Sequence, residues 1–104
     1  MRAKKLAEEK MCDSFEWWAA FDLAVDDYRR YALLYVVLNN WHLDMIGRDG
    51  VHPRTMSLVR DQIGWAHDMM LLSRERMDTC SNCASSSEIA ARIYYEEHEE
   101  RERG

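Results

Sequence analysis

The residues best suited to chemistry are two cysteines three positions apart, Cys80 and Cys83. Two thiolates at this spacing supply half of a tetrahedral zinc site, and Cys12 or a histidine would have to complete it. A thioredoxin-like redox role would require a βαβ context, which the sequence lacks. We therefore expect reduced thiols and no metal or other cofactor, with Cys12, Cys80 and Cys83 as the residual candidates for metal ligands.

Carboxylates are the second set of groups that could do chemistry. All-α nucleotide pyrophosphohydrolases hold Mg²⁺ with carboxylates that project inward from neighbouring helices. Asp22 and Asp26 are one helical turn apart, and Asp61 and Asp68 are two turns apart. Both pairs fall opposite the apolar faces of their helices, and the paired glutamate motifs of those enzymes are absent. An Mg²⁺-dependent enzyme of this kind, or a CxxC metal-binding or redox protein, is the alternative to a non-enzymatic protein.

Other signatures of catalysis, nucleic-acid binding or membrane insertion are missing. No Gly-rich loop could cradle a phosphate, and no nucleophile has a base placed by spacing. The net charge is −5, whereas binding to phosphates requires a basic surface. The longest apolar run, residues 31–38, is too short to cross a bilayer. We therefore expect a cytoplasmic protein that contacts neither nucleic acid nor a membrane directly.

The elements that must position these residues are helices. A chain of 104 residues corresponds to one domain, 1–104, and its apolar residues recur with a helical period. The sequence predicts an all-α fold, a small bundle of three main helices plus a short N-terminal helix, with an antiparallel hairpin about the 47–53 loop. Residues 1–12 are expected to form the short basic helix or arm, and residues 96–104 a charged tail that frays. A softer break is expected at 78–85, which is rich in Ser, Asn and Cys.

Several residues predict where the helices begin and end. Pro53 fits the first turn of the helix after the loop, and Ser85 with Glu88 forms a capping box for the last helix. Asn39–Asn40 is the expected site of a kink or split in the long helix that starts near residue 13. Residues 35–38 could alternatively form a short buried strand, since periodicity does not separate the two for brief apolar runs.

The segment 31–46 is apolar on all sides, with Leu33, Val37 and Trp41 opposite its main stripe. Two interpretations follow from this. The segment is either the central helix of a bundle, covered by the other helices, or it presents these three residues to a second copy or to another protein. Tryptophan is a frequent anchor of such interfaces.

Charge is segregated as well, because residues 12–28 contain five acids and no base. Glu16, Asp22, Asp26 and Asp27 are therefore predicted to form an acidic contact face for a basic groove on a nucleic-acid-handling protein. Small acidic helical proteins without a catalytic motif occur among the inhibitors of phages and mobile elements, including anti-CRISPR proteins, so an inhibitor of this type is one expectation. The sequence predicts a non-enzymatic protein–protein interaction module, a small acidic regulator or inhibitor.

Overall fold

Two helices make up the computed structural model, which describes residues 2–103: α1 spans Arg2–Ile46 and α2 spans Pro53–Arg103. Between them lies a short turn in which Gly50 has a φ of +84°, a left-handed conformation that favours glycine. Helix α2 begins at Pro53, whose missing N–H is not needed in a first turn. The all-α class is confirmed, and the turn falls at the predicted loop. Over residues 2–103, neither helix has a stretch long and apolar enough to cross a membrane.

The prediction of three main helices plus a short N-terminal helix is not confirmed, because the described residues form only two helices. The softer break at 78–85 is helical throughout: it contains no Gly or Pro, and Cys80 and Ala84 are both buried at helical spacing. Residues 2–12 are the first turns of α1, and residues 96–103 are the last turns of α2. Met1 and Gly104, the outermost residues of the predicted arm and tail, lie outside the described residues.

The predicted split at Asn39–Asn40 does not occur either. The Asn39 side-chain amide donates a hydrogen bond of 2.8 Å to the carbonyl oxygen of Tyr35, one turn earlier in the same helix. The polar side chain is thus satisfied by the backbone that it would otherwise disrupt. The alternative of a strand over residues 35–38 is excluded, since all four residues lie within α1.

The helices pack as two units. Unit 2 is Ala24–Glu75, and unit 1 contains the described residues up to Leu23 and from Arg76 onward. In unit 2 the Tyr35 ring lies 5.5 Å from that of His67, and Arg60 Nε donates to His42 Nε2 at 3.3 Å. Going from the first contact to the second means moving seven residues towards the turn on each helix, from 35 to 42 on α1 and from 67 to 60 on α2. The two segments therefore run antiparallel.

Small residues predominate in the seam where the helices of each unit meet. Along α2 in unit 2, Val59, Ile63, Ala66, Met70 and Ser73 are buried or half-buried with alternating steps of four and three, the spacing of a coiled coil. The largest fully buried side chains of the described chain are serines, Ser14 and Ser73. The buried residues of the seam are Ala24, Met45, Val59, Ala66 and Ser73 in unit 2, and Ala3, Ala7, Ser14, Cys80, Ala84 and Ala91 in unit 1.

A polar cluster joins the two helices of unit 1. Trp18 Nε1 donates to Glu88 Oε1 at 2.7 Å, and Ser14 Oγ donates to the same oxygen at 3.1 Å. The prediction that Ser85 and Glu88 cap a helix is wrong, because Glu88 lies inside α2 and its side chain reaches α1. The hydrogen bond from Trp18, followed by that from Ser14, lowers the pKa of the Glu88 carboxyl below its ordinary value.

Enlarging a seam residue should separate the helices. We expect Ala84→Leu to lower the free energy of unfolding by about 1–3 kcal/mol, because Ala84 is completely buried and the added atoms have no space. Ala19→Leu is the control, since Ala19 is exposed on α1 and its replacement should change stability by less than about 0.5 kcal/mol. Guanidinium titrations at one protein concentration compare them, and equal effects of the two substitutions would contradict a tightly packed seam.

The Glu88 cluster should make stability depend on pH. A lowered pKa in the folded state means that the ionised carboxylate stabilises the fold above its ordinary pKa of 4.5, and that this contribution disappears as the pH falls through the lowered value. We expect Glu88→Gln to be less stable than wild type at pH 7, and the difference to shrink in acid. Urea unfolding at both pH values measures it, with exposed Glu99→Gln as control. A difference of the same size at both pH values would contradict the assigned role.

Candidate functional site

Large apolar side chains on the surface of unit 2 are the most prominent feature that could bind a partner. Leu33, Val37 and Trp41, predicted as an apolar contact set, are 66%, 53% and 55% exposed. The described chain therefore does not cover them, as the interpretation of a central bundle helix would require. Their role in binding stays a prediction, but the surface that the prediction needs is present.

On α1, the exposed apolar residues Leu34, Val37 and Trp41 follow one another at steps of three and four and so share one stripe of the helix. On α2, Leu58, Trp65 and Leu72 are exposed and seven residues apart, which also places them on one stripe. Each helix of unit 2 thus has a second apolar stripe beside its seam.

Aromatic contacts show that the two stripes lie on the same side of the seam. Tyr31, one turn before Leu34 on α1, packs edge-on against Trp65 with ring centroids 5.5 Å apart. Tyr35 contacts His67 instead, and His67 lies about 200° around α2 from Trp65. The two stripes form one surface, which we name the two-tryptophan face: Leu34, Val37, Trp41, Leu58, Trp65 and Leu72.

The opposite side of unit 2 also exposes apolar residues, Val36, Leu43 and Ile46 on α1. It differs by its polar interactions, the contact between Tyr35 and His67 and the hydrogen bond from Arg60 to His42. The two-tryptophan face is set apart because it carries both exposed tryptophans of unit 2, and large aromatic side chains gain most from losing contact with water.

Charged residues flank the two-tryptophan face, three on α1 and one, Arg48, in the turn that follows it. Asp27 and Arg30 precede Leu34, and Asp44 and Arg48 follow Trp41. Arg30, Asp44 and Arg48 are exposed and Asp27 is half-buried. Within residues 2–103, none of the four forms an ion pair with another residue. Two acids and two bases thus border the apolar surface with their charges free to pair with a partner.

The predicted acidic face is divided between the two units. Glu16 and Asp22 are exposed on the part of α1 in unit 1, whereas Asp26 is exposed and Asp27 half-buried in unit 2. None of the four is buried. The structure thus leaves these carboxylates available, and the prediction that they contact a basic partner remains open to experiment.

The residues considered for metal binding are not gathered into a site. In the described part of the chain, no three or more His, Cys, Asp or Glu side chains are grouped so as to hold a metal ion. Cys80 is buried in the seam, Cys83 is half-buried and Cys12 is exposed. Since Ser14 contacts Glu88, Cys80 lies at the level of residue 22 on α1, roughly 15 Å along the helix from Cys12. Asp61 and Asp68, considered for Mg²⁺, are both exposed.

Unit 1 has an apolar surface of its own, an open groove of about 500 Å³. Exposed Met11, Phe15 and Tyr95 form its walls. The other lining residues are Lys4, Ala7, Glu8, Cys12, Ala91, Arg92 and Glu96. The lining contains both acids and bases, so its charge does not favour an anionic or a cationic ligand. The face on unit 2, in contrast, contains two half-exposed tryptophans.

The sequence pattern alone does not separate the α2 half of the two-tryptophan face from the core. In that pattern, one broad apolar face of the helix includes both the seam and Leu58, Trp65 and Leu72. The signal that distinguishes them is the strict seven-residue spacing of large side chains beside a row of small ones, Ala66 and Ser73. Once small residues are known to make the contact between the helices, this spacing indicates that the large residues lie outside the contact.

Comparisons of this chain with protein-family models, with curated proteins and with solved structures find no match. Its function is therefore argued from the geometry of its own surface.

Proposed function

We propose that this protein is a non-enzymatic protein–protein interaction module that binds a protein through the two-tryptophan face. The exposure of Trp41 and Trp65, at 55% and 47%, is the observation that carries the proposal. Tryptophans that become fully desolvated at the centre of an interface commonly contribute most of its binding energy. Soluble monomers rarely leave an apolar surface of this kind in water.

The shape of the surface suits a protein better than a small molecule. The face consists of two parallel rows of side chains on neighbouring helices, and small-molecule sites are enclosed cavities that bury most of the ligand. A helix or helix pair offers matching rows at a spacing of three and four residues. The narrower prediction of a regulator or inhibitor, of phage or mobile-element type, stays a prediction about which protein is bound.

Photo-cross-linking tests the proposal in cells of the source organism. A photoreactive residue replaces Gln62, which is exposed between Leu58 and Trp65, and in a control it replaces Arg74, on the opposite side of α2 from Trp65. We expect protein adducts at position 62 in clear excess over position 74. Every cross-linked protein is identified by mass spectrometry, including further copies of this chain.

Substitution of one anchor should abolish the adduct. Trp41→Glu should reduce the yield at position 62 at least about tenfold, as loss of an interface anchor does. Leu43→Glu is the matched control, because Leu43 is 66% exposed but lies about 200° around α1 from Trp41. Equal yields at positions 62 and 74, or equal effects of the two glutamates, would refute binding through this face.

A further inference from the structure

We infer that the partner covering the two-tryptophan face is a second copy of this chain, so that α1 packs antiparallel on α1 of the other copy and α2 on α2. The inference rests on the proposed function and names its partner. The two copies are then related by a two-fold axis perpendicular to the helices, and each contributes the same surface to the interface. Such an interface requires the surface to be complementary to a second copy of itself whose helices run in the opposite direction.

The stripe on α1 meets this requirement. For an axis at Val37, Arg30 of one copy lies opposite Asp44 of the other, and Asp27 lies at the level of the turn that carries Arg48. Arg30 therefore faces an acid and Asp44 faces a base, and the apolar residues between them face one another. Read in order, at alternating steps of three and four, the stripe on α1 is Asp27, Arg30, Leu34, Val37, Trp41 and Asp44, and Arg48 follows in the turn.

The stripe on α2 is symmetric about the same axis. Leu58 and Leu72 lie seven residues on either side of Trp65, so reversal about Trp65 brings leucine opposite leucine. The contact between Tyr35 and His67 and the hydrogen bond from Arg60 to His42 agree on the levels of the two helices, whereas the long side chains of Tyr31 and Trp65 meet across an offset of six residues. Val37 is two residues after Tyr35 and Trp65 is two residues before His67, so in an antiparallel pair they lie at one level. One two-fold axis therefore satisfies both helices.

Arg30 and Asp44 cannot pair with each other within one chain. Arg30 and Asp44 are fourteen residues apart on the same helix, which separates them by roughly 21 Å. An interaction between them must therefore be intermolecular. In a two-fold dimer each such pair occurs twice, which doubles its contribution to the free energy of association and so squares its effect on the dimer dissociation constant.

The face is also large enough to contribute the centre of a dimer interface. The half-exposed Trp41 and Trp65 present roughly 250 Å² between them, about a third of the ~800 Å² that a partner buries in a standard interface. Leu34, Val37, Leu58 and Leu72 add to this area, and the charged residues form a polar rim around it.

Charge reversal tests the inference on the full-length protein by sedimentation equilibrium. We expect wild type to be a dimer, and Arg30→Glu to raise the dissociation constant about tenfold because it places a glutamate opposite Asp44 in both symmetric pairs. Asp44→Arg should weaken the dimer similarly. The double variant R30E/D44R should return the constant to near the wild-type value.

Arg29→Glu is the control, since Arg29 is exposed but lies 100° around α1 from Arg30; it should leave the constant unchanged. Circular dichroism verifies that each variant is helical. The inference is overturned by a monomeric wild type, by a dimer that neither single reversal weakens, or by a double variant as weak as the singles. A monomer whose position 62 still cross-links to another protein would remove the dimer and leave the proposed function intact; a monomer without adducts would remove both.

Discussion

The contact between α1 and α2 is made mostly by alanine, serine and cysteine, and the rest of the molecule depends on this. Side chains of this size let two helices approach closely at a spacing of three and four residues, yet they remove little apolar surface from water. Among the described residues, serines are the largest side chains to be fully buried, with Met45 and Val59 nearly so. The tryptophans and leucines that would normally fill a core lie on the flanks of the seam instead, where one chain leaves most of them about half exposed.

Displacement to the flanks leaves exposed apolar side chains on both sides of unit 2, but the two sides differ. On one side, Tyr35 contacts His67 and Arg60 donates to His42, beside exposed Val36 and Leu43. On the other, the two-tryptophan face has only apolar groups, bordered by charges without partners in the described chain. An apolar centre with a charged rim is the composition of a protein interface, and the proposed binding would use the large side chains that the small-residue seam leaves exposed.

The helical class, the turn and the start of α2 at Pro53 could be predicted because each depends on local chemistry. The number of helices could not: residues 78–85 have poor helix propensity, but Cys80 and Ala84 continue the seam, and packing outweighs propensity. Leu33, Val37 and Trp41 were identified as a surplus of apolar residues, whereas Leu58, Trp65 and Leu72 merged with the seam in the linear pattern. Only the pairing of Tyr31 with Trp65 shows which rows share a side.

If a single chain buries too little apolar surface, its folding must be coupled to association. The melting temperature of the purified protein, followed by circular dichroism over roughly a hundredfold range of concentration, tests this coupling most directly. Mass action predicts a rise of roughly 5–10 °C from the lowest to the highest concentration. A melting temperature that does not change with concentration would show that one chain is stable with its tryptophans in water, and would contradict the coupling.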